Sequence, residues 1–236
     1  TMKKSVVLLM AFVIFAIAGG NCYAKDMIQV KGSDTLINLV QRLAESYMEK
    51  NPGKLIAVTG GGSGTGIAAL INKRCDIANS SRLMKQKEIE QANSAKVEPK
   101  RIIVAVDGLS IIVNEKNPVT KLTREEVGKI YKGDIKNWKQ VGGNDIPINL
   151  YGRQGNSGTY DFMLEVVLKG EYSPKMRQMN GSAQIVEAVK QDASGIGYVG
   201  VGYVKGAQGI NVLEIALKQG DKYFSPLNSE DVENGN

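Results

Sequence analysis

Histidine does not occur among the 236 residues. The commonest general base and metal ligand at neutral pH is therefore missing, and with it every Ser-His or Cys-His hydrolytic arrangement. Cysteine is almost as scarce, at Cys22 and Cys75 alone. Once an N-terminal leader carrying Cys22 is removed, Cys75 has no partner for an internal disulfide, and a Cys/His metal site is excluded. Its surroundings, CDIA, suit a small buried apolar residue. Aromatic residues make up 6% of the chain, with one Trp, and there is no dense block of Lys and Arg; a nucleic-acid surface is not expected. Long hydrophobic runs are missing too, since the uncharged stretch Val6 to Ala18 is too short to span a bilayer.

That stretch follows Lys3 and Lys4 and precedes Cys22-Tyr23-Ala24, which puts small residues where signal peptidase inspects them. Residues 1–24 are expected to be a secretory leader, with a mature chain from about Lys25. Acylation of Cys22 is the alternative, and Gly19, Gly20 and Asn21 make a poor approach to a lipid-modified cysteine. Loss of the leader takes away two lysines, so the net charge falls from +6 to +4. An exported, mildly basic chain of this composition points to an anionic small molecule as its partner.

What is present is a recurring unit: an apolar β-prone run, a Gly/Ser/Thr turn, then a helical stretch. MIQVKGSDTLINLVQRLAESYMEK is the first, with Ser33 or Asp34 as cap and Leu36, Leu39, Val40, Leu43 and Tyr47 on one helical face. The second has a strand at 55–59 and a helix from about Ile67. The third has a strand ending near Ala78 and a helix after Arg82, and the fourth runs from PINLYG through GRQGNSGTYDFM. Such alternation indicates a parallel α/β architecture with ligands beyond the carboxyl ends of the strands. The apolar runs at 101–114 and 195–204 divide the chain into two lobes. Residues 25–106 and 200–236 are expected in the first lobe and 107–199 in the second, with hinges near 105–108 and 199–203.

Each turn offers helix-start N–H groups without an internal acceptor, and the helix dipole adds about half a positive charge there. An anion is the natural partner. Taken alone, KGSDTL and NGSAQ suit ordinary N-caps. GGGSGTG is more specific, because five glycines weaken folding unless close approach is needed. GRQGNSGT adds a guanidinium, Arg153, able to grip an oxyanion with two donors. Enzymatic readings fit poorly. GGGSGTGIA lacks the lysine of a nucleotide-hydrolase phosphate loop and the third glycine of a dinucleotide fingerprint. Ser157 is followed by Gly-Thr rather than the pattern of a nucleophile elbow. A Ser-Lys pair is not ruled out by spacing, but nothing singles out a lysine. No catalytic residue, metal ligand or cofactor is expected.

The blocks GSDTL, GGGSGTG, DIANSSR, LTREEVGKIYKGDIKNWKQVGG, GRQGNSGTYDFM and AVKQDASGIGYVGVGYV, in this order, resemble the periplasmic phosphate-binding receptors of high-affinity phosphate ABC importers. The resemblance implies a two-lobed type II periplasmic binding protein fold, α/β, with a hinge of two crossover strands. It implies inorganic phosphate as ligand, an inner-membrane ABC permease as partner, an extracytoplasmic location and a monomer. By position it implies phosphate contacts from Thr35, Leu36, Ser63, Ser81, Arg153, Ser157, Gly158 and Thr159, with Asp34, Gly64 and Arg82 as secondary candidates. Two positions depart from the family: Ser81 and Gly155 stand where well-studied receptors carry aspartates, the first of which accepts the phosphate proton. Asp34 and Asp76 are possible substitutes, each with a plainer role as a helix cap or in its strand. A receptor for sulfate or molybdate is therefore the nearest alternative, followed by an exported phosphoester hydrolase and a structural or adhesive protein. The family resemblance further leads us to expect a first lobe with an exposed sheet edge.

Overall fold

The computed structural model describes residues 27–234, so the expected leader and Cys22 lie outside the described residues. The apolar runs before the first three turns form β1 (Met27–Gly32), β2 (Leu55–Thr59) and β3 (Ile77–Asn79). They pair in parallel in the order β2-β1-β3. Parallel neighbours need crossover connections, and α1 (Ile37–Lys50) and α2 (Ser63–Ile71) supply them; α3 (Gln86–Ser94) follows β3.

Two helix starts differ from the sequence reading. The second helix begins at Ser63 rather than near Ile67, because the glycine-rich turn itself forms the first helical turn. Gly62, its N-cap, takes φ 91°, which only glycine reaches without steric cost. In α1 the N-cap is Leu36 and no side chain caps it, so Ser33 and Asp34 do not serve as expected. Both side chains are engaged elsewhere, as described below.

The second lobe is built from β4 (Leu109–Asn114), β5 (Lys121–Thr123), α4 (Arg124–Lys132), β6 (Asn149–Arg153), α5 (Gly158–Phe162), β7 (Arg177–Met179), α6 (Ser182–Gln191) and β8 (Gly195–Gly200). After α5 the chain stays helical through a π turn to Leu168. Then follow β9 (Ile210–Val212), β10 (Glu214–Ala216) and α7 (Ser229–Glu233). The main sheet has the order β7-β6-β8-β4-β9, with β6 parallel to β7 and β8, and β4 antiparallel to β8 and β9. Since β9 pairs with β4 and β10 with β5, residues 210–216 belong to the second lobe, not to the first as expected from a boundary at 200. Turns at Gly206 and Gly209, both at positive φ, send the chain back to the open edge of β4.

The two crossovers run side by side, and the Val201 N–H donates to Gly108 O at 2.9 Å. Both are shorter as strands than their apolar runs suggest. The second ends at Gly200 and passes into a 3-10 turn at Val201–Tyr203. The first is a strand only from Leu109, because a strand needs a hydrogen-bonded neighbour and none among the described residues pairs with 101–107. Ile102, Ile103, Val104 and Val106 are consequently 56–73% exposed.

The cores are unequal. Around the second-lobe sheet, one cluster gathers Ile111, Val113, Tyr131, Trp138, Ile196, Tyr198 and others, and Ile112, Tyr151, Ile185, Val189 and Val199 form a second. In the first lobe the buried cluster is Ile67, Ile71 and Ala92. Cys75 is buried, as expected, and burial pushes its thiol pKa up. The helical face of Leu39, Leu43 and Tyr47 is exposed instead of packed.

Burial separates two isoleucines of similar sequence setting. Ile196→Ala, at a fully buried site, is expected to cost about 2–5 kcal/mol in urea unfolding. Ile103→Ala, which removes an exposed side chain, should change stability by less than about 0.5 kcal/mol.

Candidate anion-binding site

Arg153 is the last residue of β6 and is 1% exposed. A buried guanidinium must find acceptors, because an unpaired charge away from water is very costly. Several hold it. Nη1 donates to Ser182 Oγ at 3.1 Å and Nη2 donates to Asn180 O at 3.3 Å, while the main-chain N–H of Arg153 donates to Tyr198 Oη at 2.9 Å. Nη2 also forms an ion pair with Asp34 Oδ2, across the lobes. Nε is buried without a partner. The fork is thus fixed from behind while one donor of a permanent cation is left unsatisfied.

The first-lobe turns meet the start of α5 through short side chains. Ser33 Oγ donates to Ser81 Oγ at 3.1 Å, Ser81 Oγ lies 3.2 Å from Ser63 Oγ, and the Ser81 amide donates to Ser63 Oγ at 3.1 Å. Helix α5 abuts this hydroxyl group with its N-terminal end. A Cβ on Gly158 would come within 2.6 Å of Ser81 Oγ and 2.8 Å of Ser63 Oγ, so only glycine fits there. Ser157 is the N-cap of α5 and accepts the Tyr160 amide, while its own amide goes to Gln154 O. The amides of Gly158 and Thr159 sit at the first two helical positions, which have no intrahelical acceptor. Thr159 Oγ1 lies 2.6 Å from Thr35 Oγ1 of the first lobe, directly before Leu36.

The structure therefore brings Thr35, Ser63, Ser81, Arg153, Ser157, Gly158 and Thr159 to the junction of the lobes, with Leu36 at the adjoining helix start. The three secondary candidates fare differently. Asp34 stands in the site, its Oδ1 accepting the Gly61 amide at 2.9 Å and its Oδ2 meeting Arg153. Gly64 is not a free donor, since its amide gives its hydrogen to Asn156 O at 2.9 Å. Arg82 is spent on carboxylates: it forks onto Glu88 at 2.7 and 2.8 Å, and its Nε lies 2.9 Å from Asp161 Oδ2. The hydrogen bond to Glu88 raises the Arg82 pKa further, so it stays a fixed cation. Asp76 accepts the Gln29 amide at 2.7 Å, the strand role rather than the site role. A Cβ on Gly155 would meet nothing within 4 Å.

Five residues matter here that sequence reasoning passed over. Ser182 and Asn180 belong to the NGSAQ turn, read as a plain cap, but Ser182 Oγ accepts from the guanidinium. Asn156 joins the lobes by donating to Gly61 O at 2.9 Å and Thr65 Oγ1 at 3.1 Å. Tyr198 supports Arg153 from below, and burial pushes its hydroxyl up to about 12. Tyr203, in the crossover, donates to Asp34 O; burial and then the Asp34 charge push it up to about 12 as well. Both tyrosines stay protonated and uncharged through the neutral range. Among the described residues no three His, Cys, Asp or Glu side chains are grouped as a metal ion requires.

Comparison with known proteins agrees with this architecture. The profile of the PBP superfamily domain matches residues 20–230. The chain is 35% identical to the phosphate-binding protein PstS of Pseudomonas aeruginosa over 219 residues, covering 86% of this chain and 67% of that one. It is 31% identical to the PstS of Borreliella burgdorferi over 227 residues, covering 91% and 78%. Among solved structures, a candidate phosphate ABC transporter substrate-binding protein of Clostridium perfringens, with bound phosphate, superimposes with a TM-score of 0.78 at 28% identity, covering 89% of this chain and 81% of that one.

The Tyr198 support is testable by itself. Tyr198→Phe leaves the buried Arg153 N–H without an acceptor and should cost about 1–3 kcal/mol in urea unfolding. A loss below about 0.5 kcal/mol would mean that another acceptor takes over.

Proposed function

Because this chain belongs to the PBP superfamily and, within it, to the phosphate-binding proteins of ABC phosphate importers, we propose that it captures inorganic phosphate at the junction of its two lobes. The family is one of receptors, not enzymes. The observation that carries the reading is the buried Arg153 guanidinium, braced by Ser182, Asn180 and Asp34 and with Nε unpartnered, at a lobe junction where hydroxyls of both lobes and the first amides of α5 also meet.

Phosphate oxygens would replace the direct contacts between these groups. Arg153 Nε supplies the charged donor, Gly158 and Thr159 supply amides, and Thr35, Ser63, Ser81 and Thr159 supply hydroxyls that rotate to suit. Leu36 adds a helix-start amide. Ser157 acts chiefly by capping and orienting α5. Entry requires the lobes to part about the width of the ion, and contacts from both lobes then favour the joined form over the open one. In this reading the joined form is what the permease recognises, the chain acts as a monomer outside the cytoplasm, and residues 1–24 are its export signal.

Asp34 adds a selectivity argument. Its carboxylate neutralises Arg153 and can accept a hydrogen bond but not donate one. Monohydrogen phosphate has a proton to give it, and sulfate has none. The uncharged Ser81 is what favours a second reading, a receptor for sulfate or molybdate, because a hydroxyl repels no dianion.

Thermal unfolding against a panel of oxyanions separates the two readings, since a ligand at about a hundred times its Kd stabilises the folded chain by about 2.7 kcal/mol. Phosphate should raise the midpoint most, and a larger rise with sulfate or molybdate would establish the second reading. Arg153→Ala should weaken phosphate binding at least about a hundredfold by calorimetry, the loss of a buried charge partner. Near-unchanged affinity would contradict the site. Asp34→Asn should narrow the preference for phosphate over sulfate; an unaltered ratio would remove Asp34 from the selectivity argument.

A further inference from the structure

Beside the oxyanion site, a second group of charges crosses between the lobes. Arg82 and Lys85, in the segment between β3 and α3, and Glu88, in the first turn of α3, come from the first lobe; Asp161, in α5, comes from the second. Arg82 Nε and Lys85 Nζ each lie 2.9 Å from Asp161 Oδ2. The Asp161 and Arg82 side chains are 8% and 12% exposed, and Lys85 is 50% exposed. Glu88 holds the other end of the Arg82 fork and also accepts the Lys85 amide at 2.8 Å. Burial alone would raise the Glu88 pKa, and the bonds from Arg82 and the Lys85 amide outweigh it, so this carboxylate stays charged.

The charge count divides unevenly. The first lobe contributes two cations and one anion, and the second contributes one anion, so the group is neutral only when the lobes meet. Arg82 is already held by Glu88 before Asp161 arrives, so little side-chain freedom is lost on joining, unlike an ordinary surface pair. None of the four side chains is hydrogen-bonded to Arg153, Thr35, Ser63, Ser81 or Thr159 in the structure.

We propose that Asp161 is the second-lobe half of an electrostatic clasp with Arg82 and Lys85, a positioning device that sets how long the cleft stays shut around whichever oxyanion it holds. The alternative is a local role: an acid in the first turn of α5 favours the helix dipole and would stabilise that helix alone.

The two roles leave different marks on amide exchange. The Gly64 N–H donates across the lobes to Asn156 O, so its protection reports joining directly, whereas the amides of 162–168 report the helix. In the full chain without added anion, Asp161→Asn should speed exchange of the segment containing Gly64 about tenfold and leave 162–168 unchanged. Lys85→Gln, at a half-exposed side chain, should do the same more weakly, and it provides the readout if Asp161→Asn does not fold. With inorganic phosphate bound, stopped-flow release from Asp161→Asn should quicken about tenfold. Unchanged Gly64 exchange in both variants, or faster exchange confined to 162–168, would overturn the clasp. If the unaltered chain does not bind phosphate, the phosphate reading fails while the exchange comparison still decides the clasp.

Discussion

Burying the guanidinium of Arg153 is the constraint to which the site answers. A permanent cation cannot shed its proton to escape a low dielectric, so the chain must surround it with acceptors. Ser182 and Asn180 hold the fork from behind, Asp34 reaches over from the other lobe, and Tyr198 fixes the main chain by accepting the Arg153 amide. The Asp34 contact makes the cation a joint between lobes as well as the proposed anion partner. Helix α5 follows Arg153 after a four-residue turn, so the strand that carries the charge also aims the amides.

The lobes are unlike in weight. The second has extensive clusters around a five-stranded sheet, and every residue of β8 is buried. The first is a three-stranded sheet with a small buried cluster and an exposed helical face. Arg153, Ser182 and Tyr198 all belong to the heavier lobe, where dense packing resists displacement. The first lobe contributes loops whose side chains are short and whose hydroxyls rotate. A rigid platform holding the charge and a lighter lobe bringing adaptable donors is a sensible division for the opening and shutting proposed above.

Much of this was legible in the sequence because the chemistry lies in local patterns. Gly62 before Ser63, Gly158 after Ser157, and Arg153 at the end of an apolar run each have a reason visible within a few residues, and the absence of histidine turned Ser157 from nucleophile to cap. What stayed hidden depends on distant partners. Ser182 reads as a cap until β7 is placed beside β6, and nothing in the residues around Asp161 names Arg82 and Lys85 of the other lobe as its partners. Gly64 and Arg82 carry suitable chemistry, but Asn156, Glu88 and Asp161 claim it. The pairing of β9 with β4 was invisible for the same reason: an apolar triplet does not name its neighbour. Residues 101–107 show the converse, an apolar β-prone run without a paired neighbour among the described residues.

The central claim is that Arg153 Nε and the free amides of α5 serve one anion together. A crystal structure of the chain grown with inorganic phosphate tests it most directly. The account predicts one phosphate at the lobe junction with an oxygen within hydrogen-bond reach of Arg153 Nε and others on Gly158, Thr159 and Ser63. A phosphate bound elsewhere with Arg153 Nε still unpartnered would contradict it.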